Sequence, residues 1–131
     1  MGLLDFLKKE PRIEIPAGPK VAGIYVYDDR KLPRKPQYLD TLIVDYVPGK
    51  QKMVSSSGNE SITEGALSYK GRIFGCTFHP DAVKNLKKAA KFGKVSCTMI
   101  CTDTDLHGYP HWSLAFPERK GMTAFLKSLE Q

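Results

Sequence analysis

The stretch that decides the fold runs from residue 72 to residue 93 and reads RIFGCTFHPDAVKNLKKAAKFG. Residues 72–78 combine apolar, aromatic and β-branched side chains and predict a strand. Pro80 suits the first turn of a helix and Gly93 the position just past its end, so a helix is predicted over residues 80–92. One side of this helix would carry small apolar residues, namely Ala82, Val83, Leu86, Ala89 and Ala90. The other side would carry four lysines, Lys84, Lys87, Lys88 and Lys91, so the helix is amphipathic.

Strand patterns lie on both sides of this helix. Residues 95–102 alternate, with Val95, Cys97, Met99 and Cys101 pointing one way and polar or β-branched residues pointing the other. Further strands are predicted at residues 21–27, 41–47, 66–69 and 111–116.

Two other segments complete the prediction of secondary structure. Pro48-Gly49 predicts a turn that closes the second strand, and the polar residues 50–64 predict a mobile loop with at most a short edge strand. A last helix is predicted near residues 121–130, where the apolar residues recur at helical spacing.

The order of these elements predicts one α+β domain. It would be a small curved antiparallel sheet or β-barrel, packed against the central amphipathic helix, with the C-terminal helix over an open edge or end. A doubly wound parallel sheet is disfavoured because only one convincing helix lies between strands. The domain would cover residues 20–131. Residues 1–19 would form a short helix at 3–9 followed by a Pro-rich extended arm that contains no element.

Composition sets the class of protein and its surroundings. The 131 residues match one ordinary domain, and 41% hydrophobic residues are enough for a core. Three cysteines without a C-x-x-C pair or a secretory leader predict reduced thiols in the cytoplasm. No apolar run approaches the length of a membrane span, so no membrane contact is predicted. The net charge of +6 favours polyanionic partners, with a merely solvated lysine-rich surface as the equal alternative.

Motifs for metal binding are incomplete. Asp103, Asp105, His107 and Gly108 imitate the first half of a calcium loop, but Leu114 stands where the loop needs a bidentate glutamate. Cys97 and Cys101 lie about 13 Å apart along a strand, at ~3.3 Å per residue, which is too far to share a metal. Buried structural thiols are therefore favoured over a zinc site that would add His111 to the cysteines. The sequence predicts no metal and no cofactor.

Motifs for catalysis are no stronger. Cys76 and His79 both lie shortly before the start of the predicted helix, where a thiolate would be favoured. Proximity in sequence does not make a dyad, however. Neither a P-loop nor a dinucleotide-binding glycine pattern is present. These observations favour a binding module over an enzyme.

Cations next to aromatic residues favour an anionic partner. The helix lysines span about 10 Å at 1.5 Å per residue, a distance commensurate with neighbouring phosphates. A second basic cluster lies in the loop after the first strand, at Arg30, Lys31, Arg34 and Lys35. Single-strand binding combines lysines for phosphates with aromatic rings for bases. The candidate nucleic-acid-binding residues are Lys84, Lys87, Lys88, Lys91, Arg30, Arg34, Tyr25, Tyr27, Phe78 and His79.

The same residues allow a second interpretation. If the lysines are only solvated and the aromatic residues belong to the core, the domain is better described as a protein-interaction module of unknown partner. Residues 50–64 or the Pro-rich arm would then make the contact, and an exposed strand edge could support dimerisation.

Three segments resemble the HIRAN domain family. Residues 21–27, VAGIYVY, resemble its first strand, an apolar–Gly–apolar strand that ends in aromatic residues. Residues 72–82, RIFGCTFHPDA, resemble the glycine-containing segment that leads into its helix, and residues 94–102 match the following strand. The resemblance covers about residues 20–116, with a long gap in the middle. It implies a small β-barrel with one or two helices that binds single-stranded DNA, notably the 3′ end, often alongside helicase or nuclease modules.

The chain departs from that family at three places. The family's Asn-Pro-Tyr-Asp turn is missing, and a serine-rich loop stands near its place. Tyr25 and Cys76 occupy positions where DNA-end-binding members can have arginine and histidine. The resemblance therefore implies the fold more directly than it implies recognition of a DNA end.

Overall fold

The computed structural model describes residues 12–33, 35–55, 57–104 and 110–130. These residues form seven strands and two α-helices. The elements are β1 (Arg12–Glu14), β2 (Lys20–Val26), β3 (Thr41–Val54), β4 (Glu60–Tyr69), β5 (Arg72–Thr77), α1 (Pro80–Ala90), β6 (Lys94–Thr104), β7 (Pro110–Phe116) and α2 (Arg119–Ser128).

Six of the strands close into an antiparallel barrel. They follow the order β6-β3-β4-β5-β2-β7, and the ring closes because β7 also pairs with β6. Every neighbouring pair in the ring is antiparallel. Closure gives most strand edges a partner, which is how small β-proteins avoid exposed edges. The predicted α+β domain built on a small antiparallel barrel is confirmed.

The barrel interior holds the apolar faces predicted from strand alternation. On β6 the four residues from Val95 to Cys101 that alternate along one face are all buried, as expected. Phe74, Leu67 and Leu114 from three other strands are at most 1% exposed. Burying one such side chain contributes roughly 1.5–3 kcal/mol. The alternating pattern therefore directs these strands into one common core.

The two helices pack on this barrel through their apolar faces. α1 buries Ala82, Leu86 and Ala89, the latter two at 0% exposure, while α2 buries Met122. α1 ends at Ala90, two residues before the predicted end, and α2 begins at Arg119, two residues before the predicted start.

The predicted mobile loop at residues 50–64 is wrong. β3 continues through Pro48-Gly49 to Val54, and β4 begins at Glu60, so the two strands form a long hairpin. Pro48-Gly49 is a bulge: the register shifts between Val47 and Lys50, and Gly49 has a φ of 88° that suits glycine. The strand pairing satisfies the polar backbone there, which is why a polar sequence stays extended.

The prediction that residues 11–19 contain no element is also wrong. Arg12–Glu14 forms β1, which pairs in parallel with Lys94–Ser96 of β6. Ile13 and Ile15 are buried, and the Ile15 N–H donates a 2.9 Å hydrogen bond to the Ser96 carbonyl oxygen. The Ile-x-Ile spacing was the signal, because a strand puts both side chains on one face. The helix predicted at residues 3–9 lies outside the described residues.

Candidate nucleic-acid interface

A groove of about 490 Å³ opens between the two helices and one end of the barrel. Four basic side chains line it: Lys20 from β2, Lys84 and Lys88 from α1, and Arg119 from α2. We call this space the basic groove. Two of its four cations belong to the predicted lysine stripe, and Lys20 and Arg119 were not predicted.

The sequence brings these four residues together through two local rules and one long-range pairing. Lys84 and Lys88 are four residues apart and therefore share a helix face. Lys20, the first residue of β2, pairs with Phe116, the last residue of β7. The chain then enters α2 three residues after Phe116, which brings Arg119 to the same end of the barrel. Barrel closure thus brings Lys20 and Arg119 to the same end of the barrel. This long-range pairing leaves no signal in a local sequence window.

The basic groove is strongly cationic. Among the described residues that line it, Asp81 is the one acidic residue. In the described part of the chain, none of the four basic side chains forms a salt bridge. His79, a predicted site residue, also lines the groove. Within these ranges, no carboxylate would have to be displaced from the four cations by an external anion.

The other two lysines of the predicted stripe lie outside the basic groove. Lys87 Nζ lies 3.0 Å from Glu64 Oε1 on β4, with both side chains about half-exposed. Such a surface ion pair contributes at most about 1 kcal/mol, so Lys87 could exchange Glu64 for another anion. Lys91 is exposed just past the end of α1. The structure thus separates Lys84 and Lys88 from Lys87 and Lys91.

Aromatic side chains continue from the basic groove along the outer face of β2. Val21 lines the groove, and Gly23, Tyr25 and Tyr27 follow it at strand spacing on the same face. Phe78 lies over Gly23: a Cβ at this glycine would come within 3.2 Å of Phe78 Cζ. We call Phe78, Tyr25 and Tyr27 the aromatic strip.

Two rings of the aromatic strip are exposed, and the third, Tyr27, is partly buried. Phe78 is 66% exposed and Tyr25 57% exposed, so neither ring is a core residue. The Tyr25 and Tyr27 rings lie 4.8 Å apart between centroids and are tilted by 43°. Exposed rings beside a cationic groove are suited to stacking with a planar ligand.

The second predicted basic cluster differs because its described cations have hydrogen-bond partners within the protein. Arg30 Nε and Nη2 donate hydrogen bonds of 2.8 and 3.0 Å to the two carboxylate oxygens of Asp28. These bonds hold the pKa of Asp28 below its ordinary value and raise that of Arg30. Lys31 Nζ donates a 3.0 Å hydrogen bond to the Ile73 carbonyl oxygen and lies 3.8 Å from Asp28 Oδ2. Internal partners therefore occupy both cations.

This cluster also lies far from the basic groove. It follows the C-terminal end of β2, whereas Lys20 begins the strand, and six residues of strand span about 20 Å. Lys35 is exposed, and Arg34 lies outside the described residues. The structure does not bring the two predicted cation clusters into one site.

The cysteines are buried thiols rather than activated ones. Burial raises the pKa of Cys76, and it raises the pKa of Cys97 to about 12. A reactive cysteine needs the opposite shift. All three cysteines are free of disulfides. His79 lines the groove, while Cys76 is only 8% exposed, so the Cys–His pair that the sequence disfavoured has no accessible thiol.

The candidate metal residues are only partly described. Asp103 is exposed near the end of β6, whereas Asp105, His107 and Gly108 lie outside the described residues. Within the described ranges, no three His, Cys, Asp or Glu side chains are grouped so that they could hold a metal ion. No helix in these ranges is both long and apolar enough to cross a membrane.

Comparison of the chain with protein-family models, curated proteins and solved structures finds no match in any of the three. The HIRAN resemblance therefore rests on the quoted segments alone and stays a prediction.

Proposed function

We propose that this protein is a non-enzymatic binding module for single-stranded nucleic acid. The observation that carries the proposal is the continuity of the basic groove with the aromatic strip. The groove cations at one end of β2 would hold phosphates, and the exposed rings along the same strand would stack with bases. The HIRAN resemblance supports this ligand class.

In this proposal α1 is the central amphipathic element of the site. Its buried residues Leu86 and Ala89 seat it on the barrel, and this packing presents Lys84 and Lys88 to the groove. Lys87 and Lys91 would add weaker contacts at the margin. A rigid helix fixes the backbone positions of these lysines, so the ordering cost of binding is limited to their side chains, at roughly 0.5–1.5 kcal/mol each.

A single strand fits this surface better than a duplex. Stacking on Phe78 and Tyr25 requires an exposed base face, which a duplex hides. Stacking contributes roughly 1–3 kcal/mol per base and tolerates any sequence. The groove cations add an electrostatic contribution that weakens with salt, with a logarithmic slope near −3 for about four contacts at ~0.7 each.

The test is fluorescence anisotropy with a labelled single strand across a salt series. Replacing Lys84 and Lys88 with glutamate should weaken binding more than tenfold at low salt and reduce the size of the slope by about 1.4. The matched control replaces Lys94 and Lys127, which are exposed outside the groove, and changes the net charge equally. Absence of binding at low salt, or an equal loss in the control, would contradict the proposal.

One observation favours a protein-interaction module as the second candidate. β3 pairs with β6 only over residues 41–45, and β4 pairs with β5 only over residues 67–69. In the described residues, the rest of the β3–β4 hairpin has no further strand on either outer edge. Val54 and Ile62 on it are 47% and 67% exposed. An extended partner segment could add to such an edge.

A pull-down with and without nuclease separates the two candidates. Partners that vanish on nuclease treatment support the nucleic-acid function. Partners that remain with nuclease but are lost in an Ile62→Lys variant support the hairpin edge. For either function we propose a cytoplasmic location, since a reducing compartment maintains three free, buried cysteines.

A further inference from the structure

The basic groove carries more positive charge than an internal phosphate of a strand requires. Its four basic residues against Asp81 give a formal charge of +3. An internal phosphodiester carries one negative charge, whereas a phosphate monoester carries about −1.5 to −2 at pH 7. The excess of cations matches the monoester.

The cations also come from several elements rather than from one. Lys20, Lys84 and Arg119 reach one cavity from three different elements. A backbone track places cations in series so that each meets a successive phosphate. Cations from different elements around one cavity can instead donate together to one terminal phosphate, where the arginine adds a planar fork of N–H groups to the lysine point charges. The cations not engaged there remain for the internal phosphates that follow.

The cavity has room for more than a phosphate group. Its volume of about 490 Å³ lies within the range of roughly 300–1,000 Å³ seen for small-ligand pockets. Val21, Phe116 and Met122 supply an apolar part of its lining. A sugar and its base could contact these side chains while the phosphate meets the cations.

We infer that the basic groove takes the phosphate monoester of a nucleotide, either the terminal phosphate of a strand or that of a free mononucleotide. The inference rests on the proposed function, because it names the ligand chemistry of the same site. From a phosphate held in the groove, the following nucleotides would run along β2 over the aromatic strip.

The test uses the full chain and four internally labelled oligonucleotides of one sequence. They carry a 5′ phosphate, a 3′ phosphate, two hydroxyl ends, or no ends because the strand is circular. A phosphate at one end should tighten binding about tenfold over the hydroxyl-ended strand, as expected for added charged hydrogen bonds. The tightening should disappear in the Lys84→Glu, Lys88→Glu variant and in Arg119→Gln, and persist in the control at Lys94 and Lys127.

A second measurement separates the two phosphate sources. Calorimetric titration compares adenosine 5′-monophosphate with adenosine and with inorganic phosphate. Binding of the monophosphate that is lost in Arg119→Gln supports a site for the free nucleotide. If oligonucleotides fail to bind while the monophosphate does, the proposed function fails and the inference stands.

Two results overturn the inference. If strands bind equally with and without terminal phosphates, and the monophosphate does not bind, the groove holds internal phosphates and the proposed function stands. If neither strands nor the monophosphate bind, the inference and the proposed function both fail.

Discussion

The two ends of β2 carry similar basic residues in opposite states. At the start of the strand, Lys20 joins the cations of the basic groove, and none of them has a carboxylate partner in the described chain. Past the end of the strand, Arg30 and Lys31 donate to Asp28 and to the Ile73 carbonyl oxygen. In the sequence, the helix lysines that include Lys84 and Lys88 look like the loop cluster at residues 30–35, since both are runs of closely spaced basic residues. Whether a cation is available to a ligand thus depends on its partners in the fold more than on how many cations lie near it in the sequence.

The largest expected effect is a loss of stability from the helix that carries the groove lysines. Leu86 lies on α1 and is fully buried, so Leu86→Ala should lower the free energy of unfolding by about 2–5 kcal/mol. Urea denaturation followed by circular dichroism measures the loss. Val54→Ala, at a 47% exposed position on the hairpin, is the control and should change stability by less than about 0.5 kcal/mol. A loss at Leu86 no larger than in this control would show that α1 is not seated as described.

The next effect concerns the aromatic strip between the two ends. Tyr25→Ala should weaken single-strand binding by the roughly 1–3 kcal/mol of one stacked base, with little loss of stability because the ring is 57% exposed. Anisotropy at fixed salt measures the affinity. Tyr38→Ala is a matched control, since Tyr38 is 67% exposed and lies outside both the strip and the groove. Equal effects at the two tyrosines would contradict the assignment of the strip.

A smaller effect tests the internal partner at the other end. Asp28→Asn keeps an oxygen for the Arg30 backbone N–H but removes the charge that pairs with the arginine. At pH 7 the melting temperature should fall by about 2–4 °C, the scale of one partly exposed ion pair. Affinity for a single strand should rise slightly, because the Arg30 guanidinium would be released while Lys31 keeps its hydrogen bond to the Ile73 carbonyl oxygen.

The pH dependence of that variant follows from the lowered pKa of Asp28. The hydrogen bonds from Arg30 keep this carboxyl ionised in the folded state at a pH where the unfolded chain already takes up a proton there. The stabilisation is therefore complete above about pH 5, where an unfolded aspartate is ionised, and is lost as the pH falls through the folded pKa. Urea denaturation at pH 7 and at an acidic pH near 3 should show a smaller acid-dependent loss in Asp28→Asn than in the unchanged protein. Equal losses would show that this ion pair is not formed in solution.

The smallest expected effect is that of Arg30→Gln on binding. Because Asp28 already occupies the guanidinium, the affinity for a single strand should change by less than about twofold, as for an ordinary surface substitution. A loss of affinity as large as that of the Lys84→Glu, Lys88→Glu variant would show that both ends of β2 contribute equally to binding, which would contradict the comparison.

Local patterns predicted much of the fold. The alternation in residues 95–102 and the helix start at Pro80 lie within short windows, and the structure forms β6 and a helix there. The β3–β4 hairpin was missed because Pro48-Gly49 signals a turn in most contexts, whereas here it forms a bulge. β1 was missed because three prolines outweighed the Ile-x-Ile spacing.

The candidate site was predicted in part for the same reason. Helical spacing predicted Lys84 and Lys88 because it is a local property of the sequence. Strand alternation placed Tyr25 and Tyr27 on one face; in the structure β2 ends at Val26, and the two rings lie 4.8 Å apart between centroids. Neither of these patterns identified Lys20 or Arg119, which are isolated basic residues at the starts of two elements.

The sequence by itself determined which faces of its strands and helices are apolar, cationic or aromatic, because those faces follow from the repeat of each element. Only the tertiary structure decided which charges meet and which are already paired. Closure of the barrel joins Lys20 to the end of β7 and so to Arg119, and the turn after β2 places Asp28 against Arg30. Such pairings depend on long-range strand register and on side-chain geometry, and neither is visible in the periodicity of a single segment.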